Sequence, residues 1–78
     1  MKGLGVGRIV HYQAQIKQGL DDGVRPAIIT HVWNDDGMVN LLVFLDGSLD
    51  VGQGMLSPKT SVAHAEDKVG YWHWPTLT

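Results

Sequence analysis

The hydrophobic pattern is clearest in residues 25–46, where two apolar runs flank a polar turn. The runs read RPAIITHVW and MVNLLVFLD, and the letters NDDG separate them. β-Branched and aromatic residues fit a pleated, half-buried surface, and an Asp-Gly pair such as Asp36-Gly37 tolerates the positive φ angles of a tight turn. The pattern therefore predicts a β-hairpin, and we expect the rest of the chain to be arranged around it.

The second run of this hairpin is apolar at consecutive positions. Residues 41–45 read LLVFL, so both faces of the strand carry aliphatic or aromatic side chains. A strand that is apolar on both faces is typical of a position inside a sheet rather than at its edge. We therefore predict that this strand is central and that Phe44 lies in the core.

Shorter segments complete the predicted fold. Further strands are expected at residues 6–12, 49–51, 60–64 and 71–75. Residues 13–24 show no helical stripe, and they predict either a surface loop that folds over a barrel mouth or a plain disordered connection. Four to six short strands with close turns and no helix predict a single all-β domain over residues 1–78, a small SH3-like, partly open barrel.

Chain length and composition favour association. Seventy-eight residues form one small domain, and such a domain buries only roughly 60% of its unfolded surface. The chain has no cysteine, so neither a disulfide nor a thiolate zinc site can add stability. Because it also has three tryptophans, whose apolar surface a lone small barrel hides poorly, we expect a homo-oligomer.

Charge and hydropathy argue against two classes of partner. The net charge is -2, with six basic against eight acidic residues, which argues against nucleic acid. No apolar run approaches the ~20 residues that a membrane helix needs, and the first residues lack the apolar stretch of a signal peptide. We therefore expect a cytoplasmic protein with no membrane partner.

Three short motifs resemble a known family. They read GRIVHY at residues 7–12, RPAIIT at residues 25–30 and GYWHWP at residues 70–75. The chain is similar to small phage and prophage proteins that open with a GRIVHY-type strand and close with a WHWP-type signature. It departs from that pattern at His31, where an acidic residue is usual, and before Arg25, where a cysteine is common. The resemblance implies a viral origin and a compact β fold, but no established activity. With a viral origin, the expected cytoplasmic location is the cytoplasm of the host.

The aromatic ending allows two interpretations. In an extended strand, Tyr71 and His73 face one side, and Trp72 and Trp74 face the other. One side could stack a nucleobase, a contact worth ~1–3 kcal/mol per base. Alternatively, all four side chains cover the core, because small domains use large side chains to gain buried area.

No catalytic or metal-binding motif is present. The histidines, at positions 11, 31, 64 and 73, lack ligand spacing such as His-x-His, so we expect no metal and no cofactor. Neither a G-x-S-x-G nucleophile elbow nor a phosphate-binding G-x-x-x-x-G-K-[ST] loop occurs. We therefore expect a protein that is not an enzyme.

The candidate ligand-binding residues combine rings, which could stack a base, with cations, which could contact a phosphate. Closing a small barrel brings the ends of its sheet together, which would place the first strand beside the last. For each arginine, a surface ion pair is the alternative. The predicted ligand-binding set is Arg8, His11, Arg25, Tyr71, Trp72 and His73.

Two function classes follow from these features. The first is a phage-encoded oligomer that sequesters a small phosphate-bearing, nucleotide-like molecule, such as a cyclic nucleotide signal of bacterial immunity. The alternative is a structural or accessory virion protein, or a regulator that binds a host protein through a strand edge or an aromatic patch. Nucleic-acid binding by a small barrel is the weakest hypothesis, because acidic residues outnumber basic ones.

Overall fold

Five antiparallel strands form one sheet. The computed structural model describes residues 1–15, 23–45 and 55–75. The strands are β1 Ile9–Gln13, β2 Val24–Val32, β3 Val39–Phe44, β4 Leu56–Val62 and β5 Trp72–His73. Their order in the sheet is β4-β3-β2-β1-β5, and the described residues include no helix. The prediction of an all-β fold with four to six short strands is confirmed.

The predicted hairpin is the pair β2–β3, and β3 lies inside the sheet between β2 and β4, as expected. Its turn is closed by Asn34, whose side-chain Oδ1 accepts hydrogen bonds from the amides of Asp36 at 3.0 Å and Met38 at 3.2 Å. Gly37 has a φ of 102° there, a conformation that L side chains rarely adopt. The turn therefore forms where the Asp-Gly signal predicted it.

The two ends of the described chain lie side by side. Strand β5 pairs with β1, which places His11 opposite His73 and Tyr12 opposite Trp72. Beyond β4, His64 forms a parallel bridge with Trp72, whose amide donates to the Ala63 carbonyl at 3.1 Å. The expected proximity of the first and last strands is confirmed, but the sheet does not close into a barrel, since β4 and β5 remain its edge strands.

The core occupies one face of the sheet, which we call the core face. Trp72 is fully buried there, and its indole Nε1 donates to the Gly37 carbonyl at 2.7 Å, so the last strand is fastened to the hairpin turn. Leu4 and Trp74 pack against this cluster from outside. The buried apolar residues are Val10, Ala27, Ile29, Val39, Leu41, Val43, Val62 and Trp72.

The prediction that Phe44 lies in the core is wrong. Its side chain is 38% exposed, whereas Leu41 and Val43 on the same strand are buried. Successive side chains of a strand point to opposite faces, so the alternation that buries Val43 turns Phe44 away from the core. Phe44 instead lies opposite Leu56 of β4.

Several predicted boundaries shift. The first strand begins at Ile9 rather than at Val6, because Gly7 has a φ of 91° that interrupts the extended backbone. Strand β4 begins at Leu56, ahead of the predicted start at residue 60. The predicted strand at residues 49–51 and most of the predicted loop at residues 13–24 lie outside the described residues.

Candidate binding surface on the outer sheet face

The side of the sheet opposite the core is its second face. Residues that are directly opposite each other on paired strands project to the same side, so the register shows which residues belong to this face. One row runs across four strands through the pairs Pro58–Leu42, Leu42–Ile28 and Ile28–Ile9. A second row contains the pairs Leu56–Phe44, Pro26–His11 and His11–His73. The outer face consists of Ile9, His11, Pro26, Ile28, Leu42, Phe44, Leu56, Pro58 and His73.

The outer face is apolar and largely open to solvent. Ile9 is 55% exposed, Leu56 is 52% exposed, and Phe44 between them in the sheet order is 38% exposed. Pro26 and Pro58 are exposed as well, and Ile28 and Leu42 are half-buried. Monomeric soluble proteins rarely expose contiguous apolar patches larger than a few hundred Å² unless the patch binds something.

No residue of the outer face is a lysine, arginine, aspartate or glutamate. Neighbouring cations point the other way: Lys59 lies opposite Leu41, and Arg25 lies opposite Tyr12, so both belong to the core-face side. A face without fixed charge has no attraction for phosphate and little desolvation cost when it is covered. Its chemistry suits an apolar protein surface.

Two imidazoles edge this face at the β1–β5 pair. The rings of His11 and His73 meet edge to face, with their centroids 5.6 Å apart. His73 is only 7% exposed, and its Nδ1 is buried without a hydrogen-bond partner among the described residues. His73 is therefore the least accessible residue of the outer face.

The predicted ligand-binding residues are not gathered in one place. His11 and His73 are brought together on the outer face, as their strand pairing requires. Trp72 is fully buried in the core with its N–H occupied, so of the two interpretations of the aromatic ending, core packing holds for this residue. Arg25 is 5% exposed on the core-face side and donates from Nη1 to the Val24 carbonyl at 3.1 Å.

The two remaining residues of the predicted set each form a cation–ring contact. The guanidinium carbon of Arg8 lies 5.8 Å from the ring centroid of Trp74, at the rim of the core face. Tyr71 is 36% exposed, and the Nζ of Lys68 lies 5.8 Å from its ring centroid. The predicted set included Arg8 but omitted Trp74. Their contact follows from the alternation of side chains along a strand, because Arg8 points to the same face as Val10, and Trp74 points to the same face as Trp72.

One titratable group near the core has a perturbed pKa. Burial of Tyr12 raises the pKa of its phenol above the ordinary value of 10.0, because desolvation penalises the phenolate. The Nζ of Lys59 lies 5.9 Å from the Tyr12 ring centroid, where the cation contacts the ring. Tyr12 therefore remains a neutral packing residue through the physiological pH range.

No protein-family model, curated protein or solved structure shows significant similarity to this chain. Within the described part of the chain, no three His, Cys, Asp or Glu side chains cluster in a way that could hold a metal ion. The same residues contain no helix long and apolar enough to cross a membrane. The chemistry of the outer face and the Arg8–Trp74 pair are therefore the basis for a proposal.

The outer face itself was missed from the sequence, although a signal for it was present. The doubly apolar run at residues 41–45 predicts a strand inside the sheet with Phe44 in the core, and only the position inside the sheet is confirmed. The structure places protein on one side only of Leu42 and Phe44 within the described residues. The strand register shows that Ile28 and Ile9 of the neighbouring strands lie beside Leu42 and form one apolar patch with it.

Proposed function

We propose that this protein is a non-enzymatic binding protein that acts through its outer face, in the class of accessory proteins or regulators of a host protein. The observation that carries the proposal is a solvent-open sheet face built from apolar side chains without a fixed charge. Proteins retain such a face at a cost in solubility, and the usual reason is that a partner covers it. Phe44 and Ile9 provide its exposed anchors.

The residue types on this face also support a function without catalysis. Two imidazoles are present, but none of the residues of the outer face carries a carboxylate or a thiol with which they could form an acid–base or nucleophilic pair. The viral origin that the motif resemblance implies, and the expected location in the host cytoplasm, are part of the same proposal. Both fit a small protein that acts by binding to the surface of another protein.

The proposal is tested by comparing what binds to three tagged forms of the protein in the cells that produce it. Ile9→Lys places a charge at the β1 end of the row that Pro58, Leu42 and Ile28 continue, whereas Val69→Lys changes a residue outside the sheet with the same exposure of 55%. We expect the partners of the wild type, untagged copies included, to be retained by Val69→Lys and depleted by Ile9→Lys. Equal recovery with all three forms would show that the outer face is not the binding surface.

A second candidate function is the sequestration of a phosphate-bearing, nucleotide-like molecule by an oligomer. The observation that favours it is the Arg8–Trp74 pair, which combines a cation for phosphate with an aromatic ring for a base, 5.8 Å apart. Trp74 is half-buried, so part of its surface remains accessible. This pair replaces Trp72 as the stacking element of the predicted set.

A thermal-shift screen with nucleotides and cyclic dinucleotides tests this candidate. A ligand at 100 times its Kd should add ~2.7 kcal/mol to the free energy of unfolding. Arg8→Ala should abolish the shift, and Lys68→Ala, which removes a cation–ring contact at the same 5.8 Å distance elsewhere, should preserve it. A shift that survives in Arg8→Ala would place the ligand away from this pair.

A further inference from the structure

We propose that the partner of the outer face is a second copy of this chain, so that two sheets pack face to face as a two-fold β-sandwich. The inference rests on the proposed function, since it names the occupant of the same surface. Sheets with two apolar faces are stable when a layer covers each of them, and the described residues supply a layer for the core face only. A second sheet is the layer with matching shape.

Charge distribution favours a copy of the chain over a charged partner. None of the lysines, arginines, aspartates and glutamates in the described part of the chain belongs to the outer face. Two copies related by a two-fold axis therefore bring no like charges together, and each presents apolar side chains to the other. A nucleic acid or an anionic lipid surface would find no lysine or arginine on this face.

The extent of the face is close to what a stable dimer needs. Five strands at ~4.8 Å spacing, with strands of about six residues at ~3.3 Å per residue, cover roughly 24 Å by 20 Å. That is about 500 Å² per partner in projection, or about 1,000 Å² for two copies, which is the lower limit expected of a specific interface. Packed sheets lie ~10 Å apart, which leaves room for Phe44 and Leu56 to interdigitate with their counterparts.

The position of the anchors supports a symmetric contact. Ile9 on β1 and Leu56 on β4 lie toward opposite edges of the sheet, and they are about equally exposed, at 55% and 52%. An isologous interface needs a patch that complements itself, so an apolar side chain toward each edge can meet its counterpart across the axis. Phe44 lies opposite Leu56 on the adjoining strand β3, so a contact that covers Leu56 would also bury Phe44.

Sedimentation velocity from low-micromolar to sub-millimolar concentration tests the inference on the full chain. We expect the wild type to reach twice its 8.6 kDa mass as its concentration rises. Ile9→Lys and Leu56→Lys should each raise the dimer dissociation constant by about 100-fold or more, because each buries two unpaired charges at the interface. Val69→Lys should leave it unchanged. Circular dichroism on each variant separates a folded monomer from an unfolded chain.

Three outcomes would overturn the inference. A wild type that remains at 8.6 kDa throughout excludes the second copy, while the comparison of tagged forms still decides whether the outer face binds another protein. A dimer that resists both lysine substitutions in folded variants lies on a different surface. A monomer that floats with neutral phosphatidylcholine vesicles, and loses this property in Ile9→Lys, would identify a lipid surface as the occupant.

Discussion

The two faces of the sheet are built from similar side chains but meet different surroundings. Leu41 and Val43 are buried in the core cluster with Trp72, and Leu4 and Trp74 pack against this cluster. Phe44 follows Val43 directly on the same strand but is 38% exposed. Hydrophobicity along the strand does not distinguish the two faces, because both are apolar. What distinguishes them, among the described residues, is that Leu4 and Trp74 pack against the core cluster, whereas Ile9, Phe44 and Leu56 on the outer face remain exposed. The binding role that we propose for the outer face depends on this difference.

The largest test of this comparison is a pair of aromatic truncations. Trp72→Ala removes a fully buried ring together with its hydrogen bond to the Gly37 carbonyl, and should lower the free energy of unfolding by about 3–5 kcal/mol, enough to unfold a small domain. Phe44→Ala should cost only about 1 kcal/mol in the dilute monomer. Urea denaturation at low protein concentration measures both. Equal costs would mean that Phe44 is covered within the monomer.

Two leucines on opposite faces make the same comparison with matched chemistry. Leu41→Ala opens a cavity beneath a residue that is 1% exposed and should cost about 2–4 kcal/mol. Leu56→Ala, at a site that is 52% exposed, should cost less than about 1 kcal/mol in the monomer. At concentrations where the proposed dimer forms, the cost of Leu56→Ala should rise. A cost that does not change with concentration would contradict a role for Leu56 in the dimer.

Gly37 lies in the hairpin turn, where His64 and Trp72 leave little space for a side chain. A Cβ at Gly37 would lie 2.9 Å from His64 Cβ and 3.3 Å from Trp72 Cζ2, in addition to the strain of its φ of 102°. Gly37→Ala should therefore cost about 2–4 kcal/mol.

Gly70→Ala is the control for backbone strain alone. Gly70 has a φ of 86°, but an added Cβ would meet no atom within 4 Å, so the substitution should cost about 1 kcal/mol. Thermal or urea melts of the two variants give the difference. If both alanine variants lose the same stability, the contact of Gly37 with His64 and Trp72 is looser than the structure indicates.

The smallest expected effect is a decrease in the stability of the folded protein at alkaline pH. Because burial raises the pKa of Tyr12 in the folded state, the stabilisation from its neutral phenol is complete below pH ~10 and is lost as the pH rises through the folded pKa. Tyr12→Phe should flatten the decline in stability above pH ~10, and Tyr71→Phe should leave that decline in place. Melting temperatures measured between neutral and alkaline pH check this. An identical decline in wild type and Tyr12→Phe would exclude Tyr12 as its source.

Local sequence determined the strands and the turn of this protein. The alternation around Ile29, the apolar run through Val43 and the Asp36-Gly37 pair are short-range signals, and they predicted the hairpin and the all-β class, which the structure confirms. The closeness of the first and last strands was also predicted, but it results from direct pairing of β5 with β1 and not from closure of a barrel. The strands and the turn, unlike this pairing, depend on backbone geometry that neighbouring residues control.

Only the tertiary structure decided which apolar residues are covered. Phe44 and Val43 have similar local signals, and their burial differs because the chain folds back over one face of the sheet. For the same reason the predicted ligand-binding residues separate, with Trp72 in the core, Arg8 against Trp74, and His11 beside His73 on the outer face. Burial depends on contacts between residues that are distant in sequence, and a pattern read along one strand does not contain them.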